Sequence, residues 1–228
     1  MHVPDGFLDA PTSVATAAVA VVGVSVALRV ARKELDDRTA PMAGLVATFV
    51  FAGQMMNFPV AGGTSGHLLG GALAAVLAGP FTAALCLSVV LLVQALLMAD
   101  GGITALGTNV TLMAVVAVTV GYAGFRLAQL VLPRTTTSVA PAAAFGAFLS
   151  VPATAVVFTG LFAIGGTAAV PFDTLLAAMV GWHVLIGLGE TAITGLVVAS
   201  VVAVRPDLVY GARRVVRARE LEIREAPA

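Results

Sequence analysis

The chain has 228 residues, of which 59% are hydrophobic and only 11% charged, and its twelve basic and twelve acidic side chains cancel. A water-soluble domain carries about 25% charged residues, so a water-exposed globule is excluded, and a balanced charge excludes recognition of polyanions by net charge. The lone Cys86 excludes an intramolecular disulfide.

The chain opens MHVPDGFLD, with no Lys or Arg where a signal peptide would carry one. Its chemistry is in the first two residues. The Met1 amine, the His2 amide nitrogen and the nearer His2 ring nitrogen close fused five- and six-membered chelate rings. A fourth nitrogen would complete a square-planar site of the kind that suits Ni(II) or Cu(II). The competing reading is a loose terminus in which His2 is incidental.

Beyond it, charge is sparse: only Asp100 lies between Arg38 and Arg126, and only Asp173 and Glu190 between Arg134 and Arg205. Runs of that length are membrane-embedded. Breaking them at Gly, Pro and charge clusters predicts seven helices, at 10–28, 41–57, 67–79, 81–99, 104–125, 139–164 and 174–204. The third is too short to span about 30 Å of hydrocarbon at 1.5 Å per residue. The loop NFPVAGGTSG before it is therefore expected to dip into the membrane, where only protein contacts would satisfy its backbone. Gly79-Pro80 predicts a tight turn into the fourth helix. The fold class is thus an all-α integral membrane protein, with one transmembrane domain at 1–204 and a basic cytoplasmic tail at 205–228.

With seven crossings, the basic residues after the first, fifth and seventh helices all fall on one side. The positive-inside rule makes that side the cytoplasm and puts the N-terminus outside. The outer ends then collect the N-terminus, the loop before His67, the turn ADGGITALGTN and the turn GGTAAVPFD. His67, expected to begin the third helix, joins His2 at that face, where a metal site competes with an ordinary buried histidine. His183 and Glu190 are two turns apart on the seventh helix and share a face, so a structural pair is expected. Gln54, Asn57, Gln94, Asp100 and Asn109 are candidates to orient ligands or satisfy the re-entrant backbone.

A rival enzyme reading rests on GTSG at 63–66, which fits the G-x-S-G of rhomboid-type intramembrane proteases, with Ser65 as nucleophile and His183 as base. In a chain with 24 glycines the tetrapeptide is cheap. A third reading is a scaffold packed by small residues. No G-x-x-x-x-G-K-[ST] motif occurs, so the chain has no phosphate-cradling loop for ATP.

Four stretches, MHVPDGFLD, NFPVAGGTSGHLLGGALAAVLAGP, VQALLMADGGITALGTNV and HVLIGLGETAITG, together resemble the CbiM/NikM substrate-capture subunits of energy-coupling-factor cobalt and nickel transporters. The resemblance covers roughly residues 1–200. It implies capture of Ni(II) or Co(II) as transported substrate, no permanent cofactor, and metal ligation by Met1, His2 and His67. It leaves Asn57, Ser65, Asp100, Asn109, His183 and Glu190 as residues around the ligands. The implied setting is a multi-pass plasma-membrane (inner-membrane) protein linked to cobalamin biosynthesis. Implied partners are a transmembrane coupling subunit, cytoplasmic ATPases and often a small auxiliary membrane protein, expected to be separate or dispensable because the chain ends soon after its basic tail.

Overall fold

The computed structural model describes residues 1–35, 40–60 and 65–218. Helices lie in the predicted apolar segments, with altered bounds. α1 (Ala10–Ala31) starts where Asp9 accepts a hydrogen bond from the Thr12 amide at 2.9 Å, as an N-cap side chain does. α2 is Ala40–Gln54, and the short α3 is Gly71–Ala78. α4 (Pro80–Leu97) begins at the predicted Gly79-Pro80 turn. α5 (Leu106–Asn109) runs through a π-helical segment, Val110–Val116, into α6 (Ala117–Val131). α7 (Val139–Gly165) and α8 (Phe172–Val204) complete the bundle.

Five helices are long and apolar enough to cross a membrane: α1, α4, the continuous helix Leu106–Val131, α7 with its leading turn, and α8; α2 is a shorter apolar helix. Their apolar surface is divided between two solvents. Ala72, Ala75, Leu87, Leu112, Phe125, Val151 and Phe158 are buried among the helices, whereas Val14, Leu97, Leu130, Val131, Ile164 and Leu196 are left on the outside. Outward-facing side chains this apolar are at home in lipid.

The third predicted helix needs correction. It starts at Gly71, and the residues from His67 to Gly70 run as irregular, buried backbone outside any helix. Ahead of them, Phe58–Pro59 (β1) and Ser65–Gly66 (β2) form a two-residue antiparallel ladder. Residues 61–64 of the loop expected to re-enter lie outside the described residues, as do 219–228 of the basic tail. The first and fifth predicted helices also run further, to Ala31 and Val131, passing Arg29 and Arg126. A charge that reaches the membrane edge does not break a helix, because its long stem carries it to water.

The chain ends sort by polarity. Lys33, Arg126, Arg134, Arg213, Arg214 and Arg217 surround two adjoining cavities of about 270 and 260 Å³. Arg213 is held there by hydrogen bonds to the Glu34 carbonyl at 3.2 Å and lies 5.0 Å over the Tyr210 ring. The Glu34 carboxylate turns inward to accept from the Thr82 amide and hydroxyl at 2.7 and 2.9 Å, at the positive end of α4.

Candidate metal centre

The N-terminal segment is not a loose tail. Met1 is 1% exposed, His2 5% and Val3 0%, so three residues with a charged-capable amine are threaded into the bundle. Their backbone is secured from two sides. Asn109, next to the π-helical segment, accepts from the Val3 amide at 2.7 Å and donates to the Val3 carbonyl at 3.1 Å, and the Gly102 amide donates to the same carbonyl at 2.9 Å. The Asp5 carboxylate receives the Thr104 amide and hydroxyl, which hold its pKa below the usual carboxylate value. Opposite, the Thr167 amide donates to the Phe7 carbonyl at 3.1 Å and the Asp9 amide to the Gly165 carbonyl at 2.7 Å. The 165–167 clamp is made of backbone groups and one threonine, and no side-chain chemistry in the sequence announces it.

Burial drives the Met1 amine well below its usual 8.0, with the nearby Asp100 charge opposing part of that shift. The amine is thereby favoured as a neutral group with a free lone pair. His2 lies between two partners. Its Nε2 is 3.2 Å from Gln94 Oε1. Its Nδ1 is 2.9 Å from Asp100 Oδ1. Asn57 donates to the other Asp100 oxygen at 2.9 Å, fixing the carboxylate against His2.

His67 stacks on His2 with ring centroids 4.5 Å apart. Its Nδ1 donates to the Leu68 carbonyl at 2.7 Å, which leaves a buried Nε2 lone pair with no partner. The segment that carries His67 owes its shape to α8. Glu190 accepts from the Leu69 amide at 2.7 Å and from the Gly70 amide at 3.0 Å, and Gln54 donates to the Leu69 carbonyl at 2.9 Å. Leu69 on both sides, the Gly70 amide and the Leu68 carbonyl are thus satisfied inside the protein, as buried peptide groups require. Gly70 sits at φ 72°, where a Cβ would also meet Val50 at 2.7 Å.

Two expectations fail here. His183 and Glu190 share a face of α8 but are not a pair: Glu190 holds the backbone after His67, and His183 Nδ1 donates to the Met179 carbonyl at 2.7 Å. Each found a backbone partner nearer than the other side chain. Ser65 is not activated by His183, whose Nε2 has no hydrogen-bond partner; Ser65 instead pairs in the ladder opposite Pro59. Met1, His2, His67, Asn57, Asp100 and Asn109 do converge. Among the described residues no three His, Cys, Asp or Glu side chains are grouped at metal-binding spacing, so the nitrogens of the terminus itself are what distinguishes this cluster.

The family model of the CbiM cobalt uptake substrate-specific transmembrane region matches residues 2–208. The chain belongs to the CbiM family. A protein of Haloquadratum walsbyi named for metal transport is 40% identical over 92% of this chain and 94% of its own length. One of Archaeoglobus fulgidus, named for fused nickel transport, is 42% identical over 92% of this chain and 68% of its own. A crystal structure titled as a truncated transition metal transporter superposes with a TM-score of 0.75 at 34% identity, over 87% of this chain and 96% of that one. This is therefore a membrane protein of a cobalt and nickel transport family, and not a family of proteases.

Proposed function

We propose that this CbiM-family chain captures Ni(II) or Co(II) at the outer face of the plasma membrane through four nitrogens: the Met1 amine, the His2 amide, His2 Nδ1 and His67 Nε2. The observation that carries this reading is the meeting of a buried amine with two buried, stacked imidazoles, one of which, His67, has its Nδ1 proton on a carbonyl and its Nε2 lone pair without a partner. A metal-binding histidine has this form, one ring nitrogen tied to an oxygen and the other free to ligate. Charge supports it as well. A divalent cation is costly to bury unless compensated, and the deprotonated His2 amide and the Asp100 carboxylate supply two negative charges beside it.

Within this reading the chain is the substrate-specific subunit of an energy-coupling-factor transporter, with the N-terminus outside and the basic end in the cytoplasm. α3 spans about 12 Å and the four residues from His67 to Gly70 up to about 13 Å, so in this reading the two together make most of one crossing among seven. ATP hydrolysis falls to separate ATPase subunits reached through a transmembrane coupling subunit.

The test is to add one Gly before Met1, or to acetylate the amine. Either change removes one donor and leaves the helices untouched. Calorimetric titration with Ni(II) should show loss of high-affinity binding with an unchanged melting temperature; an affinity equal to that of the native terminus would overturn the chelate.

A further inference from the structure

The four-nitrogen site leaves a third imidazole unexplained. His183 is 0% exposed, its Nδ1 proton is fixed on the Met179 carbonyl, and its Nε2 is buried with no partner. His67 has the same arrangement on the Leu68 carbonyl. A histidine that serves only packing normally satisfies both ring nitrogens, and a buried polar atom left bare in a native fold calls for a reason. Serine chemistry does not supply one, since Ser65 makes no bond to this ring.

Position supplies it. α8 presses on the backbone immediately before His67: a Cβ at Gly66 would meet Ile186 Cδ1 at 2.7 Å and His183 Cε1 at 3.9 Å. Ile186 and Val60 leave no room for a side chain at Gly66, and the His183 ring lies within van der Waals reach of the same backbone. Further along the same buried face of α8 come Glu190 and Thr194, whose hydroxyl also lacks a partner. Both line a small space of about 20 Å³ beside Gly70. Eleven residues separate Phe172, where α8 begins, from His183, a rise of about 16 Å. His183 therefore lies well inside the bundle, between the terminal chelate and this inner polar row.

Resting on the nitrogen site proposed above, we infer that His183 Nε2 is an inner ligand that shares the metal with His67 Nε2 once the terminal amine and amide let go, forming the first step of passage into the bundle. As the His2 amide nitrogen leaves the metal it takes a proton from water, which restores a neutral peptide bond and leaves hydroxide to balance the charge. His67 stays bound throughout, so the ion moves between two imidazoles without ever being bare. His183 contributes little to the resting site and much to departure from it.

The experiment uses the full chain in lipid nanodiscs with Cu(II) as a spectroscopic probe and Ni(II) for kinetics. A Gly-extended protein that also carries His2→Ala keeps only His67 and His183 as imidazole donors. Pulsed electron paramagnetic resonance should count two coupled imidazoles on its weaker-bound Cu(II), and adding His183→Gln should leave one and weaken binding about tenfold or more. In the native-terminus protein His183→Gln should hold Ni(II) with affinity within about threefold of wild type, yet release it to a chelator about fivefold more slowly. His183→Asn serves the same purpose should the Gln variant not fold. An unchanged imidazole count and an unchanged release rate overturn the inference while leaving the outer site standing. Equal Ni(II) affinity in native and Gly-extended proteins would instead overturn the outer site.

Discussion

The segments that carry the nitrogens of the proposed outer site are held by buried neighbours, and those neighbours are the residues to perturb. Asn109 closes two hydrogen bonds on Val3 and so fixes where the His2 peptide lies. Asn109→Ala strands a buried amide, which costs about 1–3 kcal/mol, and should lower Ni(II) affinity by about 10- to 100-fold in calorimetry. Protonation follows the same logic. With ordinary values, an amine near 8 and imidazoles near 6.5 would all compete with metal, and affinity would drop steeply from about pH 7 to 5. Burial changes this for the amine, whose pKa is well below 8.0 when tucked. The released terminus then binds more protons than the tucked one, so tucking is strongest above the released value and weakens as pH falls toward the buried one. Because the tucked amine carries no proton, metal binding near pH 7.5 should release about one proton, that of the His2 amide. Calorimetry in buffers of differing ionisation enthalpy measures this; release of two or more protons would show that the amine is charged in the metal-free protein.

Among the elements, α8 and the segment from His67 to Gly70 form the working pair. The segment fails to be helical because the Glu190 carboxylate takes two of its amides and Gly70 adopts a left-handed turn. Glu190→Gln keeps one acceptor oxygen where two amides need one each, so His67 loses its fixed approach. Ni(II) affinity should fall about 10- to 100-fold while the protein stays folded. Gly70→Ala places a side chain in the left-handed region, at a cost of about 1–2 kcal/mol before the Val50 clash is added. A thermal melt should register that loss, and an unchanged melting temperature would mean that the turn is not held. The same elements explain why the helix bounds read from the sequence missed: α3 lost His67 through Glu190 to its tertiary contacts, while the first and fifth helices ran past arginines that merely mark the membrane edge.

At the scale of the molecule, the two ends have opposite chemistry. One end gathers the threaded terminus and the loops that grip it; the other gathers arginines round paired cavities. In the transporter proposed here, the coupling subunit and its ATPases have to be reached from the basic end. Photo-cross-linkers placed at Leu130 and Val215 should therefore capture the coupling subunit in assembled complexes, whereas those at Asn57 or Ile103 should not. Capture at the latter pair alone would reverse the orientation.

Composition and near-neighbour chemistry were enough to establish a membrane protein and the sites of its charges, and to single out Met1-His2 as a candidate chelate, because each depends on residue identity or on residues adjacent in the chain. The partners of those groups were not legible in the same way. Val3 meets Asn109 across 106 residues and Leu69 meets Glu190 across 121, and no local pattern encodes contacts of that span. His183 and Glu190 show the difference most clearly: helical spacing correctly put them on one face, but only the packing of the His67 segment against α8 decided that each would bond to backbone. The same packing decided that His67 and His183 keep the Nε2 lone pair, since each donates its Nδ1 proton to the carbonyl beside the ring.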